Sequence, residues 1–176
     1  VEGCAAGAVH LDNVAPILFG GVRLIVPGEL ARELPWPGDL RLVVVSPELE
    51  LSTREARAVL PASVPLALAV AHAQNLAALV HALHTGERGL LAATLRDLLA
   101  EPWRAPLVTG FAAVKAAALA AGALGCSLSG AGPAIFAVAE EGRAEPVAVA
   151  AVAAWRAAGV ASRARVCVVD RRGARR

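Results

Sequence analysis

The residues in this chain best suited to chemistry form a glycine-rich stretch, Ser129-Gly130-Ala131-Gly132-Pro133, between two apolar runs. Apolar runs joined by a short glycine-containing link predict two strands and a tight loop. Glycines let a loop backbone approach a ligand closely, and successive bare N–H groups form a concavity that suits an anion. Glycine is also the ordinary residue of tight turns, so the stretch equally fits a hairpin that binds nothing.

A polar cluster near the start of the chain, His10, Asp12 and Asn13, lies between small and apolar residues. Burying these side chains is costly unless each is paired. The cluster therefore fits either a capped helix with a surface histidine or a polar pocket for a substrate or metal. Upstream, Glu2 offers the hard oxygen ligand that Mg²⁺ takes from proteins. Zinc is disfavoured, because no second histidine or cysteine has ligand spacing.

Two arginines are candidates for holding a carboxylate. Ser52 and Glu55 form the capping box of a helix, and Arg57 lies four residues after Thr53 on the same helix face. Arg104 lies in a loop that is fixed by a proline on either side. A guanidinium can hold a carboxylate through two parallel hydrogen bonds. The alternatives are a solvated surface arginine for Arg57 and an ordinary helix connection around Arg104.

The remaining polar residues suggest less. His72, His81 and His84 lie on a long helical stretch, where we expect satisfied or solvent-facing side chains. Asp12 is the nearest candidate for a general base, but capping a short helix is its stronger role. No other carboxylate is nominated as a buried base.

Composition narrows the classes of protein. The chain has 176 residues, of which 57% are hydrophobic and 18% charged, so a packed core is expected and disorder is not. Only 3% are aromatic and none is tyrosine, which disfavours a base-stacking surface for nucleic acid. The three cysteines form no Cys-x-x-Cys pair, as is typical of a reducing compartment. No signal peptide is evident, and glycine, proline, arginine or glutamate interrupts the apolar runs. We expect a cytoplasmic protein with no nucleic-acid or membrane partner.

A mixed α+β scaffold must position these side chains. Asp12 and Gly20-Gly21 bound a short predicted helix. The other predicted elements are strands at 22–26, 40–45 and 165–169, helices at 52–60, 107–121 and 145–158, a helical stretch at 65–99 broken at 85–87, and the glycine-loop hairpin. From residue 40 onwards this order predicts a ferredoxin-like split βαβ arrangement with extra helices after its first strand.

The best domain boundary is the segment 27–38, which contains three prolines and two glycines. It divides the chain into residues 1–37, a larger domain at 38–170, and a basic tail at 171–176.

The polar segments together resemble the homoserine kinases of the GHMP kinase superfamily. Gly125 to Phe136 matches the superfamily's glycine-rich strand–loop–strand motif. The segments His10 to Pro16 followed by Phe19-Gly20-Gly21, Ser52 to Pro61, and Glu101 to Arg104 resemble the homoserine kinase signature closely. The resemblance extends over nearly the whole chain.

This resemblance implies a GHMP kinase fold, in which residues 1–37 are a remnant of the N-terminal domain. It also implies ATP-dependent phosphorylation of L-homoserine on the threonine pathway, with no dedicated base because the γ-phosphate helps to accept the proton. The implied roles are Glu2 as the Mg²⁺ ligand, His10, Arg57 and Arg104 as substrate contacts, Asp12, Asn13 and Thr53 as catalytic residues near the reacting hydroxyl, and Ser129, Gly130, Ala131 and Gly132 as the loop under the ATP phosphates.

The sequence departs from the family pattern at two points. Ala100 stands where the family usually has histidine, and the family's ATP-cradling loop, which lies upstream of Glu2, is not in the sequence. Because the chain also contains no methionine and begins at Val1, we expect the C-terminal part of an enzyme, inactive by itself and compatible with a homodimer. The alternatives are another GHMP small-molecule kinase, of the mevalonate or shikimate type, and a non-catalytic amino-acid-binding module.

Overall fold

The computed structural model describes residues 11–26 and 31–175, which fall into two compact units. The first unit combines the chain up to Gly38 with the segment from Val168 onwards, and the second is Asp39–Cys167. The segment 168–170, which the sequence analysis assigned to the larger domain, is thus grouped with the first unit. The proposed division at 37 and 170 stays a prediction about domains of the whole protein.

In its described residues, the first unit contains the helix α1 (Leu11–Phe19) and a two-stranded ribbon of β1 (Val22–Leu24) and β2 (Arg32–Leu34). The strands are antiparallel, and β2 lies in the proline- and glycine-rich segment for which no strand was predicted. Helix α1 ends as expected, since the N–H of Gly20, at φ 68°, donates to the carbonyl of Pro16. Asp12 is the second residue of α1 and lies inside its first turn, where a negative charge suits the helix dipole, so the prediction that Asp12 caps this helix is wrong.

The C-terminal segment is hydrogen-bonded within the first unit. The N–H of Gly21 donates to the carbonyl of Asp170, and the N–H of Ala174 donates to the carbonyl of Ile17, both at 2.7 Å. The basic residues after 170 therefore extend from a backbone that is held in place.

The second unit contains most of the secondary structure. Its elements are β3 (Leu40–Pro47), α2 (Thr53–Ala58), α3 (Leu66–Thr85), α4 (Arg88–Thr94), α5 (Glu101–Arg104), a 3₁₀ turn (Ala105–Leu107), α6 (Phe111–Ala120), β4 (Gly125–Leu128), β5 (Ile135–Glu140), α7 (Glu141–Ala157) and β6 (Ser162–Cys167). The predicted break near residues 85–87 is confirmed, because Gly86 adopts a left-handed conformation and ends α3.

The sheet of the second unit has the order β4-β5-β3-β6, and all neighbouring strands are antiparallel. A first strand paired with the third and fourth is the topology of a ferredoxin-like split βαβ unit. The predicted α+β class and this arrangement are confirmed. The helices α2 to α6 lie between the first strand, β3, and the second, β4, where the sequence placed the extra helices.

Helices α6 and α7 cover one face of the sheet and enclose the main core. Fully buried Trp155 on α7 donates its indole N–H to the carbonyl of Thr109 at 3.0 Å, so its polar atom is satisfied. Val43 and Val45 of β3 and Val114 of α6 pack in the same core cluster. This packing holds the ends of β4 and β5, and hence the glycine loop, on a rigid base.

Helix α3 differs from the sequence expectation. Its 20 residues contain no charged side chain other than histidine, and it is long and apolar enough to cross a membrane by length and composition alone. The expectation that every apolar run is interrupted is therefore wrong for Leu66–Thr85. Helix α3 also packs against α4 and carries three histidines and two amide side chains, which are features of a helix in a folded domain.

Candidate functional site

The glycine loop joins β4 and β5 as predicted, with Leu128 opposite Ile135 in the last pair of the ladder. Inside the loop, the N–H of Ser129 donates to the carbonyl of Ala134 at 2.8 Å, and the N–H of Gly132 donates to the carbonyl of Ser129 at 3.0 Å. Among the described residues, the N–H groups of Gly130 and Ala131 have no hydrogen-bond partner. Two adjacent N–H groups without a partner are what an anion-binding loop requires.

The two glycines of the loop have different surroundings. Gly130 has φ 59° and is exposed, and a Cβ atom placed there would have no neighbour within 4 Å. Gly132 has φ 84°, and its Cβ would lie 3.4 Å from Cδ2 of Leu128. Both positions need the left-handed conformation that glycine adopts without strain. Gly130 is thus the position at which a ligand can reach the backbone, and Gly132 packs onto the hairpin.

Helix α2 begins with the predicted capping box. The Ser52 hydroxyl accepts from the N–H of Glu55 at 3.1 Å, and the Glu55 carboxylate accepts from the N–H of Ser52 at 3.0 Å. The hydrogen bonds from the Ser52 side chain and backbone lower the pKa of the Glu55 carboxyl. The cap fixes Thr53, exposed, in the first turn and Arg57, half-buried, in the last turn of the helix.

Arg104 connects helix α2 to the glycine loop. Its Nε atom donates to the carbonyl of Ala56 at 3.0 Å, and its Nη1 atom donates to the carbonyl of Gly130 at 3.3 Å. Ala56 precedes Arg57, so three of the predicted site segments meet at this guanidinium. A guanidinium has five N–H donors, and no further hydrogen bond of Arg104 is found in the described part of the chain. Arg104 can therefore hold the two backbone segments and still bind an anion.

A buried carboxylate that the sequence analysis missed lies beneath this site. Glu101, 9% exposed, accepts a hydrogen bond of 2.6 Å from the hydroxyl of Ser127 and forms an ion pair with Lys115. A buried carboxylate was not anticipated here from the sequence, and the pairing of Glu101 with Lys115 and Ser127 gives it a structural role. The one available signal was Lys115, the only lysine in the chain, within an otherwise apolar helix.

Next to Ser127 lies a cavity of about 250 Å³ between α3 and the sheet. Its polar lining includes His72, Asn75 and Asp97. The Nδ1 atom of His72 is buried and has no hydrogen-bond partner among the described residues. The expectation for His81 and His84 is met, since both side chains are exposed, but it is wrong for His72. An unpaired ring nitrogen beside a cavity is available to a ligand.

The other predicted site residues lie near the start of the chain. Asp12 and Asn13 are exposed in the first turn of α1, in the first unit. Glu2 and His10 lie outside the described residues, so their predicted roles stay predictions. Within 11–26 and 31–175, no group of three or more histidine, cysteine or acidic side chains could hold a metal ion.

Comparisons with known proteins show which family this chain resembles. Residues 79–157 match the family model "GHMP kinases C terminal". The chain is 44% identical over 168 residues to a homoserine kinase of Trichormus variabilis, which covers 94% of this chain and 56% of that protein. The chain thus spans about half the length of the curated relative it matches.

Two solved structures have a similar fold. A homoserine kinase from Cytophaga hutchinsonii superposes with a TM-score of 0.93 at 38% identity, covering 98% of this chain and 56% of that one. A putative homoserine kinase from Listeria monocytogenes superposes with a TM-score of 0.60 at 23% identity, covering 91% of this chain and 53% of that one, and supports the fold alone.

Proposed function

We propose that this chain is the C-terminal part of a homoserine kinase of the GHMP kinase superfamily, because residues 79–157 match the GHMP kinase C-terminal model and the chain is similar to homoserine kinases in sequence and fold. The whole enzyme would transfer the γ-phosphoryl group of ATP to the hydroxyl of L-homoserine and release O-phospho-L-homoserine, a step in threonine biosynthesis. The proposal rests on the position of Arg104, whose hydrogen bonds connect the helix of Arg57 to the glycine loop. A carboxylate site and a phosphate site adjoin at that residue.

The substrate side of this site suits a small amino acid. Arg57 and Arg104 supply positive charge for the homoserine carboxylate, and His10 is proposed as a further contact. Thr53 begins the helix that carries Arg57, and we propose that it acts near the reacting hydroxyl. Phosphoryl transfer depends mainly on positioning and charge neutralisation, so fixed arginines on a capped helix match the chemistry.

The phosphate side of the site is the loop Ser129–Gly132. Its open backbone at Gly130 fits a group that must approach closely, and its unpartnered N–H groups fit an anion. ATP would supply the transferred phosphoryl group, and Mg²⁺ would neutralise its charge with Glu2 as a proposed ligand. Asp12 and Asn13 are proposed near the hydroxyl on the resemblance of their motif alone.

The experiment is a substrate panel with the full-length protein that contains this chain. We expect ADP formation with L-homoserine. The product, O-phosphohomoserine, would be identified by its phosphomonoester signal in ³¹P NMR. Activity with mevalonate or shikimate and none with homoserine would contradict the proposed substrate but support a kinase. Absence of ADP formation with all three substrates, together with calorimetric binding of homoserine or threonine without nucleotide, would support a non-catalytic binding module.

We also propose that the enzyme is a cytoplasmic homodimer that pairs through α7. An exposed groove of about 390 Å³ runs between α7 and β6, and Val149 on its rim is 68% exposed. Glu145 and Arg156 line the two ends of the helical side of the groove. A second copy packed antiparallel would place each Glu145 opposite an Arg156 and the valines in contact. Light scattering of the full-length protein should give a dimer, and Val149→Glu should give a monomer; a wild-type monomer would refute this pairing.

A further inference from the structure

Helix α5 is fastened at both ends to one segment of chain. At its first residue, the Oε2 atom of Glu101 accepts a hydrogen bond of 2.6 Å from the hydroxyl of Ser127 on β4. At its last residue, the Nη1 atom of Arg104 donates to the carbonyl of Gly130 at 3.3 Å. The attached positions are three residues apart on each segment. Helix α5 is therefore linked to the segment 127–130 by two hydrogen bonds, one from each end of the helix.

The charge of Glu101 is balanced where it is buried. Its Oε1 atom pairs with Lys115 on α6, and its Oε2 atom is occupied by the Ser127 hydroxyl. A buried carboxylate needs both an opposite charge and hydrogen bonds to offset its lost hydration. Asp97 adds to the order of the same helix, because its carboxylate accepts from the backbone N–H of Glu101 at 3.0 Å. The first residue of α5 is therefore held in one place from three sides.

We propose that Glu101 is a positioning residue, which through Ser127 keeps Arg104 at a fixed distance from the glycine loop. This inference rests on the proposed function, in which Arg104 binds the substrate carboxylate and the loop binds phosphate. The carboxylate of the acceptor and the phosphates of the donor are then held relative to each other by one short helix. Loss of the Glu101–Ser127 bond would let α5 and the loop move independently.

The test uses Ser127 rather than Glu101, because removing a buried charge from an ion pair risks loss of folding. In the full-length protein, Ser127→Ala removes the hydrogen bond and leaves the ion pair with Lys115 intact. Ser127→Thr keeps the hydroxyl, and Ser127 lines the 250 Å³ cavity, so the added methyl group has space. Ser162→Ala is the matched control, since the buried Ser162 hydroxyl on β6 has no partner among the described residues.

We expect Ser127→Ala to lower kcat/KM for homoserine by about 10-fold or more, mostly through a higher KM. Ser127→Thr should restore it to within about threefold, and Ser162→Ala should match the wild type. Independently of activity, hydrogen exchange at the amides of Ser129 and Gly132 should become faster in Ser127→Ala, because their bonds lie inside the loop.

Unchanged kinetics and unchanged amide exchange in Ser127→Ala would overturn the proposal. A lower melting temperature with unchanged kinetics at a temperature where the variant is folded would overturn it too, because the bond would then be only structural. Failure of Ser127→Thr to restore activity would also overturn it, because the effect of Ser127→Ala would then not come from loss of the hydroxyl. If the wild type does not phosphorylate homoserine but Ser127→Ala still exchanges faster in the loop, the proposed function fails and the positioning role holds.

Discussion

Replacing Arg104 with lysine should impair the enzyme while preserving its charge. In the structure, two different nitrogens of the guanidinium hold the carbonyls of Ala56, at 3.0 Å, and Gly130, at 3.3 Å. Lysine has a single nitrogen and no planar fork, so it cannot hold both carbonyls and a carboxylate together. A hydrogen bond to a charged group contributes about 1.5–3 kcal/mol. Losing one backbone bond and one arm of the carboxylate contact should therefore cost roughly 3 kcal/mol in transition-state binding, which is about 150-fold in kcat/KM.

The assay is steady-state ADP formation by the full-length protein at varied L-homoserine concentration. The loss should appear mainly as a higher KM for homoserine, with a smaller change in the KM for ATP. Arg88→Lys is a suitable control, because Arg88 pairs with Asp39 on the surface of the same unit. A folded Arg104→Lys variant with kcat/KM within threefold of the wild type would refute the placement of Arg104 in the site.

Three further predictions concern the hairpin and its surroundings. Gly125→Ala should lower the melting temperature measured by calorimetry, since the added Cβ would lie 2.3 Å from Cβ of Leu95. Gly142→Ala is the control: its added Cβ would have no neighbour within 4 Å, so this variant should be neutral or stabilising. Gly130→Ala should cost only about 1 kcal/mol of unfolding free energy for its positive φ but reduce kcat more strongly in the ADP assay, because its methyl group occupies the space proposed for phosphate. Burial raises the pKa of the Cys126 thiol to about 12, so the folded state disfavours the thiolate. The measurement is the free energy of urea unfolding of the wild type relative to Cys126→Ala as a function of pH. This difference should be constant below about pH 8.5, where the thiol of the unfolded chain is protonated. Above that pH the wild type should lose about 1.4 kcal/mol per pH unit, until the thiol ionises in the folded state too.

Local features of the fold could be predicted from the sequence. The Ser52–Glu55 capping box and the chain reversal at Gly86 depend on residues a few positions apart, whose preferences act in any context. The glycine-loop hairpin has the same local origin. Strand β2 was missed because its pairing with β1 offsets an unfavourable neighbourhood of prolines. Helix α7 begins at Glu141, four residues before its predicted start, since the end of β5 leads into it directly.

The candidate site likewise contains residues that the sequence could indicate and residues that only the tertiary fold brings together. Arg57 could be nominated because the helix cap before it is visible in the sequence, and Arg104 because a proline lies on either side of it. The environment of Glu101 could not, because its partners Lys115 and Ser127 lie 14 and 26 residues away and meet it only through the tertiary fold. His72 was misjudged for a related reason: the burial of its ring nitrogen depends on the sheet beside α3, not on its own helix.

The central claim is that this chain carries the carboxylate site of a kinase acting on homoserine. The most direct measurement compares ADP formation by the full-length protein with L-homoserine and with L-homoserine amide, which keeps the hydroxyl and the amino group but lacks the negative charge. The account predicts phosphorylation of homoserine and a kcat/KM for the amide lower by about 100-fold or more, since two arginines lose their anion. Equal rates with both compounds, or no phosphorylation of homoserine, would contradict it.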